Sequence, residues 1–292
     1  MGMTARATAG LLAVCATLAL TGCQGDEDTG GSERKPQLQV SESPPEPDLD
    51  AEVPERSVLL SFNELEPGDP VSTIENSGAL PARARVLADN GGRIFATRSP
   101  RRVGVRLPAY SETDPRFAMI GVFNTGEDDP LSPDEADFLF GADFSIDAVS
   151  TGNQLDNGDN LVGRGLFEGA SQYKIQVDGG KLSCRVAGLG GEVMVFAKET
   201  VQPGQWYRAR CVRQGDTVTL DVAKLDQSQD PDDQGELDWV SASETGTTGA
   251  VLMASTVPMA VGGKLSGDGR IFPVTTDQFN GRIDRVIYRL LG

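Results

Sequence analysis

The sequence predicts an all-β protein, a sandwich of two antiparallel sheets. Three observations predict it: apolar residues recur with period two from Ser57 onward, glycine-centred turns separate those runs, and no long amphipathic helix appears. Arg102–Leu107, Tyr173–Val177, Thr217–Val222 and Arg282–Ile287 each place apolar side chains on one face and polar ones on the other, the pattern of a half-buried strand. Asn90-Gly91-Gly92, Asp178-Gly179-Gly180 and Gln214-Gly215-Asp216 supply residues that tolerate positive φ and are expected to close tight hairpins. Ser132–Asp137, with serine at the N-cap and Pro133 at the first position, is the one short helix expected. Ser57 to Gly292 fits a single sandwich, since such domains run to roughly 200 to 250 residues.

Before that domain come two segments of different character. Residues 1–22 carry one charge, Arg6, and an apolar run from Ala9 to Ala19 that is too short to span a bilayer and reads as the core of a signal peptide. The run ends in Leu20-Thr21-Gly22-Cys23, which resembles the lipobox of bacterial lipoproteins. That resemblance implies cleavage before Cys23, attachment of diacylglycerol to its thiol, and a protein held on the outer face of the cell membrane, where two acyl chains anchor stably. The alternative is an ordinary secretory peptide that happens to end near a cysteine. Residues 23–56 hold no aromatic residue, five prolines and ten acids against Arg34, Lys35 and Arg56. Such a stretch cannot form a core and is expected to act as a solvated tether.

Charge and cysteine usage narrow the function classes. The formal net charge is −17, and losing Arg6 with the signal takes it to −18, at a pI near 4.4. A nucleic-acid surface needs a lysine or arginine footprint, which a chain of this pI lacks globally, so polyanion binding to the whole surface is disfavoured and no nucleic-acid partner is expected. Of the four cysteines, Cys15 leaves with the signal and Cys23 is lipidated, so Cys184 and Cys211 remain as an even pair outside the reducing cytosol. Leu182, Cys184 and Val186 alternate onto one face, as do Tyr207, Ala209 and Cys211. A disulfide between neighbouring antiparallel strands is therefore expected.

Six segments in order resemble a laminin G-like domain: Phe144–Ala148, Asn160–Gly165, Tyr173–Val186, Val201–Val222, Met259–Gly263 and Phe279–Val286. The resemblance implies the concanavalin A-like lectin/glucanase jelly roll, a fold shared by binders and enzymes, so the residues must decide between them. The chain has no histidine, which excludes Ser-His-Asp and Cys-His catalysis and histidine-based zinc sites. A glycosidase needs two flanking carboxylates, and the Glu-x-Asp-x-x-Glu run of laminarinase relatives is absent; Asp134, Glu135 and Asp137 come nearest. The expected function is a non-catalytic binding or adhesion module for an extracellular glycan or protein, with a polysaccharide hydrolase bearing an unrecognised acid pair as the alternative.

Three features are candidate sites. By the resemblance, Asp284 is the acid of a structural Ca2+ site completed by backbone carbonyls near Glu64 and Gly91 or Gly92; otherwise it faces solvent and pairs with Arg282 and Arg285. Arg83, Arg85, Arg93, Arg98, Arg101, Arg102 and Arg106 crowd a stretch with the single acid Asp89, which suggests a basic patch, with Arg98, Arg101 and Arg102 as its ligand-binding members. The bland reading is that these arginines sit on edge strands and neutralise nearby acids. Trp239, beside the polar insertion Asp226–Gln234, is a candidate sugar platform, whereas Trp206 is expected in the core.

Overall fold

The structure is a computed structural model and describes residues 55–152, 158–228, 237–272 and 277–291. The expected signal peptide, the lipidation site Cys23 and the tether up to Pro54 lie outside the described residues, as does most of the Asp226–Gln234 insertion. No helix occurs among the described residues.

The strands run in the order β1 (Ser57–Leu60), β2 (Ala82–Asp89), β3 (Phe95–Ser99), β4 (Arg102–Arg106), β5 (Phe117–Asn124), β6 (Phe138–Ile146), β7 (Asp159–Arg164), β8 (Gln172–Asp178), β9 (Lys181–Gly188), β10 (Gly191–Thr200), β11 (Trp206–Gln214), β12 (Thr217–Leu225), β13 (Val240–Thr245), β14 (Met259–Val261) and β15 (Gly281–Leu290). They form two antiparallel sheets. One is eight-stranded, ordered β13-β12-β11-β6-β15-β4-β3, with β1 added against β15; the other is seven-stranded, ordered β10-β9-β8-β7-β14-β5-β2. The four alternating runs of the sequence are β4, β8, β12 and β15.

The core between the sheets is built from the inward alternates. Phe140, Ala142 and Phe144 of β6, Tyr207, Ala209 and Cys211 of β11, and Tyr173, Ile175 and Val177 of β8 are all buried in it. Phe138, Phe140, Tyr173 and Tyr288 pack ring against ring at centroid separations of 4.9 to 6.2 Å. The two tyrosines keep their hydroxyls satisfied by donating to the Leu131 carbonyl at 3.1 Å and the Pro130 carbonyl at 2.9 Å.

Four expectations are corrected. Cys184 and Cys211 do form the disulfide, but β9 and β11 are in different sheets, so the bond crosses the core at a Cα separation of 6.1 Å instead of joining neighbours. Facing side chains of a sandwich approach as closely as paired strands do, and alternation does not say which. Asn90-Gly91 is a turn, with φ of 50° and 72°, yet it passes the chain from β2 in one sheet to β3 in the other, whereas the turns at Gly179 and Gly215 close true hairpins. Ser132–Asp137 is not helical. Asp134 has φ 54° and its backbone exchanges hydrogen bonds with Val251, while the Ser132 hydroxyl donates to Asp129 at 2.8 Å. Finally, Asp284 does not face solvent between arginines: it is 2% exposed.

Candidate functional site

Because β6 and β11 send every second residue into the core, the alternates Asp143, Arg208 and Arg210 lie on the outer face of the eight-stranded sheet. Cross-strand register extends them into a row, with Asp284 of β15 opposite Asp143 of β6, and Asp143 opposite Arg208 of β11. This row is polar yet buried, with Asp143 1%, Asp284 2% and Arg208 6% exposed. Burial at this level demands partners. Arg208 grips Asp143 with two nitrogens, Nε to Oδ1 at 2.6 Å and Nη2 to Oδ2 at 2.9 Å, and Arg101 stands 3.8 Å from Oδ2.

Asp284 takes the other role. Its carboxylate accepts hydrogen bonds from the Ser99 hydroxyl at 2.6 Å and from the Arg285 amide at 2.7 Å. Burial, and then the negative charge of Asp143 beside it, push its pKa up to about 7, with the two hydrogen bonds opposing. Gly104 of β4 keeps space open here, since a Cβ at that position would sit 3.1 Å from the Asp284 Cβ and 2.7 Å from the Ile283 carbonyl oxygen. Directly after Asp284, β15 carries a bulge. Register jumps from Asp284/Asp143 to Ile287/Gly141, and Arg285 adopts φ 44°. Along the same face, Arg210 binds Asp221 at 2.9 Å, Ser241 donates to Asp221 at 2.5 Å, and the Arg210 guanidinium lies 4.2 Å from the Trp239 ring centroid.

At the β3–β4 edge of this face the chain opens a cleft of about 660 Å3. Arg93, Phe95, Arg106, Tyr110 and Arg116 line it. Phe95 is 40% exposed, and Arg93 is exposed with no ion pair among the described residues. Arg106 is held by Asp147 at 2.5 Å, and Arg282 stands 3.9 Å from the same carboxylate. Arg116 pairs with Asp114 at 2.8 Å.

The sequence candidates therefore separate. Arg101 and Asp284 meet at Asp143. Trp239 sits along the same face under Arg210, half-buried. Arg98 and Arg102 are exposed at the β3–β4 turn and do not line the cleft, and Arg83 and Arg85 lie on β2 of the other sheet, Arg85 over the Phe123 ring at 4.2 Å. Sequence reasoning missed Asp143 and Arg208 as a pair; for Asp143 the available signal is a lone charge at the centre of the otherwise apolar strand β6, whereas Arg208 is one of three arginines in β11 and nothing local marks it out. The donor set around Asp284 suits calcium poorly. Its oxygens are occupied, guanidinium groups surround the neighbouring Asp143, and no group of three or more His, Cys, Asp or Glu is placed to hold a metal among the described residues.

Compared with known proteins, residues 159–289 match the laminin G domain family. No curated protein matches the chain. Among solved structures, the binding domain of Paraclostridial Mosquitocidal Protein 1 aligns over 81% of this chain and 50% of its own, at 13% identity and TM-score 0.49. The binding domain of botulinum neurotoxin serotype G aligns over 80% and 48%, at 10% identity and TM-score 0.48. A protein of unknown function from Shewanella oneidensis MR-1 aligns over 82% and 88%, at 10% identity and TM-score 0.42. The chain spans about half the length of the two toxin chains.

Proposed function

We propose, with the laminin G match over residues 159–289 as premise, that the chain is a lipid-anchored module that binds an extracellular glycan or protein without catalysis. The observation that carries this reading is the edge cleft, where Arg93, Arg106 and Arg116 stand beside Phe95 and Tyr110. Arginine forks recognise carboxylate, sulfate or phosphate groups, and the rings offer apolar faces to a sugar or side chain. The buried Asp143–Arg208 pair ties β6 to β11 in the same sheet. Arg98 and Arg102 are proposed to extend the contact along the edge, Arg101 to act through Asp143, and Trp239 to form a separate platform.

In this reading Cys23 carries the diacylglycerol, residues 24–56 act as the tether, and the domain works at the extracytoplasmic face of the cell membrane. A calcium ion at Asp284 is a separate proposal, supported by two carboxylates in cross-strand register and opposed by the arginines around them. A melting temperature raised by calcium would support it, and one unchanged in chelator would reject it.

The second reading is a polysaccharide hydrolase, for which the carboxylate pair would be Asp284 and Asp143 in cross-strand register; at 2% and 1% exposure they meet a substrate only if the face above them opens. The test for both is incubation of the full-length protein with cell-wall and plant polysaccharides, scoring retention and released oligosaccharides. Retention without product supports the binding module. Product that disappears in Asp284→Asn supports the hydrolase and overturns the first reading.

A further inference from the structure

A second cleft, of about 180 Å3, lies on the outer face of the seven-stranded sheet. Tyr173, Ile175 and Val177 of β8 enter the core, so Lys174 projects outward between Arg185 of β9 and Gly163 of β7, and Gly163 in turn opposes Ala260 of β14. A hydrogen and a methyl group thus follow two long cationic side chains, and the sheet surface drops away beside Lys174. Glycine is required at 163, because a Cβ would come within 2.9 Å of the Tyr173 carbonyl oxygen. The depression is built into the backbone.

The groups lining it are chemically specific. Lys264 pairs with Asp277 at 3.1 Å, and Arg185 is taken up by Gln172 at 2.6 Å and by Glu192, whereas half-buried Lys174 makes no hydrogen bond or ion pair among the described residues. Asn160 is 3% exposed, lines the cleft, and keeps its side-chain Oδ1 buried without a hydrogen-bond partner. Native structures rarely leave such an atom unsatisfied, and a ligand hydroxyl would satisfy it. At the rim, Phe167 is 64% exposed, with the Arg185 guanidinium over one ring face at 4.6 Å and the other face left for a ligand, and Phe272 is partly exposed with Lys264 Nζ 6.0 Å from its ring centroid. Burial, then the like charges of Arg185 and Lys264, hold Lys174 below the ordinary lysine range against the pull of Asp277. An added anion would reverse that penalty. An unpaired cation, an unsatisfied acceptor and exposed rings are the complements of an acidic group, a hydroxyl and the C–H face of a pyranose.

We propose that this cleft is a subsite for one anionic sugar residue, its carboxylate or sulfate on Lys174, a hydroxyl donated to Asn160 and its ring against Phe167. The site is independent of the edge cleft, which belongs to the other sheet.

The experiment is calorimetric titration of the full-length protein in detergent with trigalacturonate, its neutral methyl ester and a sulfated galactose trisaccharide. The expected result is binding of at least one anionic probe, with the ester at least tenfold weaker; which anion binds tells carboxylate from sulfate. Lys174→Ala and Phe167→Ala each weaken binding at least tenfold with unchanged melting temperature, Lys174→Arg restores part of it, and Lys198→Ala, exposed on β10 and lining neither cleft, leaves it intact. Equal affinity for the ester, no binding of either anionic probe, or an inert Lys174→Ala overturns the proposal. Loss in Arg106→Ala with Lys174→Ala inert overturns it while leaving the edge cleft standing.

Discussion

Asp284 and Asp143 oppose each other across β15 and β6, and their surroundings divide the labour: Arg208 clamps Asp143 through two nitrogens, while Asp284 receives only a serine hydroxyl and a backbone amide. Two nearly inaccessible carboxyls in adjacent register cannot both be charged cheaply, and the one without the guanidinium takes the shift.

That shift makes stability depend on pH. The Asp284 pKa rises to about 7 in the folded state, above its unfolded value of about 3.9, so the folded protein holds the proton more tightly. Its contribution therefore favours folding at pH 4 to 5, weakens as pH rises toward 7, and stays unfavourable above. Asp284→Asn is expected to raise the melting temperature at pH 8 by several degrees and to flatten its fall between pH 5 and 8. Thermal melts of both proteins across that range check it, and a parallel pH profile would refute it.

Removing the clamp should be costly. Arg208→Met leaves Asp143 buried beside Arg101 alone, and losing one partner of a buried pair costs about 3 to 5 kcal/mol. Urea unfolding should show that loss, while Asp143→Asn in the same background recovers part of it, because the uncompensated charge is gone.

The inter-sheet disulfide closes a loop of 27 residues, for which the chain-entropy account gives about 3.5 kcal/mol. In a domain of this size that corresponds to roughly 10 °C in melting temperature. The Cys184→Ala/Cys211→Ala double variant, or reduced wild type, is expected to show a drop of that order.

For the edge cleft, Arg93→Ala with Arg106→Ala should lower retention on an acidic polysaccharide or protein ligand at least tenfold, with a steep dependence on salt. Trp239→Ala, which loses only the stacking with Arg210, tests the separate platform. Retention unchanged in the double arginine variant would remove the cleft from the function.

Anchoring has its own readout. Cys23→Ala is expected to move the protein from the membrane fraction to the soluble fraction with an unchanged far-ultraviolet spectrum, because the domain begins about 34 residues later. Persistent membrane partition of this variant would rule out the lipid anchor.

The two-sheet architecture was legible at β4, β8, β12 and β15, where period-two alternation reports one buried face whatever the partner strands are. Glycine-centred turns were legible as turns, but Asn90-Gly91 shows that their φ values do not decide between closing a hairpin and crossing between sheets. The site was less legible. In β15 Asp284 is buried, where a polar residue in an alternating run is expected at the solvent, its neighbour Arg285 is buried too at the bulge that breaks the alternation, and the polar row assembles from strands far apart in sequence, with Ser99 bonding a residue 185 positions away.

By itself the sequence determined what is local: period two and the turns for the all-β class, the absence of histidine for the excluded chemistries, and the even cysteine pair for the disulfide. Only the tertiary structure decided which carboxylate meets which arginine, which sheets the disulfide joins, and where Lys174 and Asn160 stand beside a depression. Alternation sets which face a side chain takes, but neighbours across strands follow from register and sheet order. Those are fixed by packing the whole core at once.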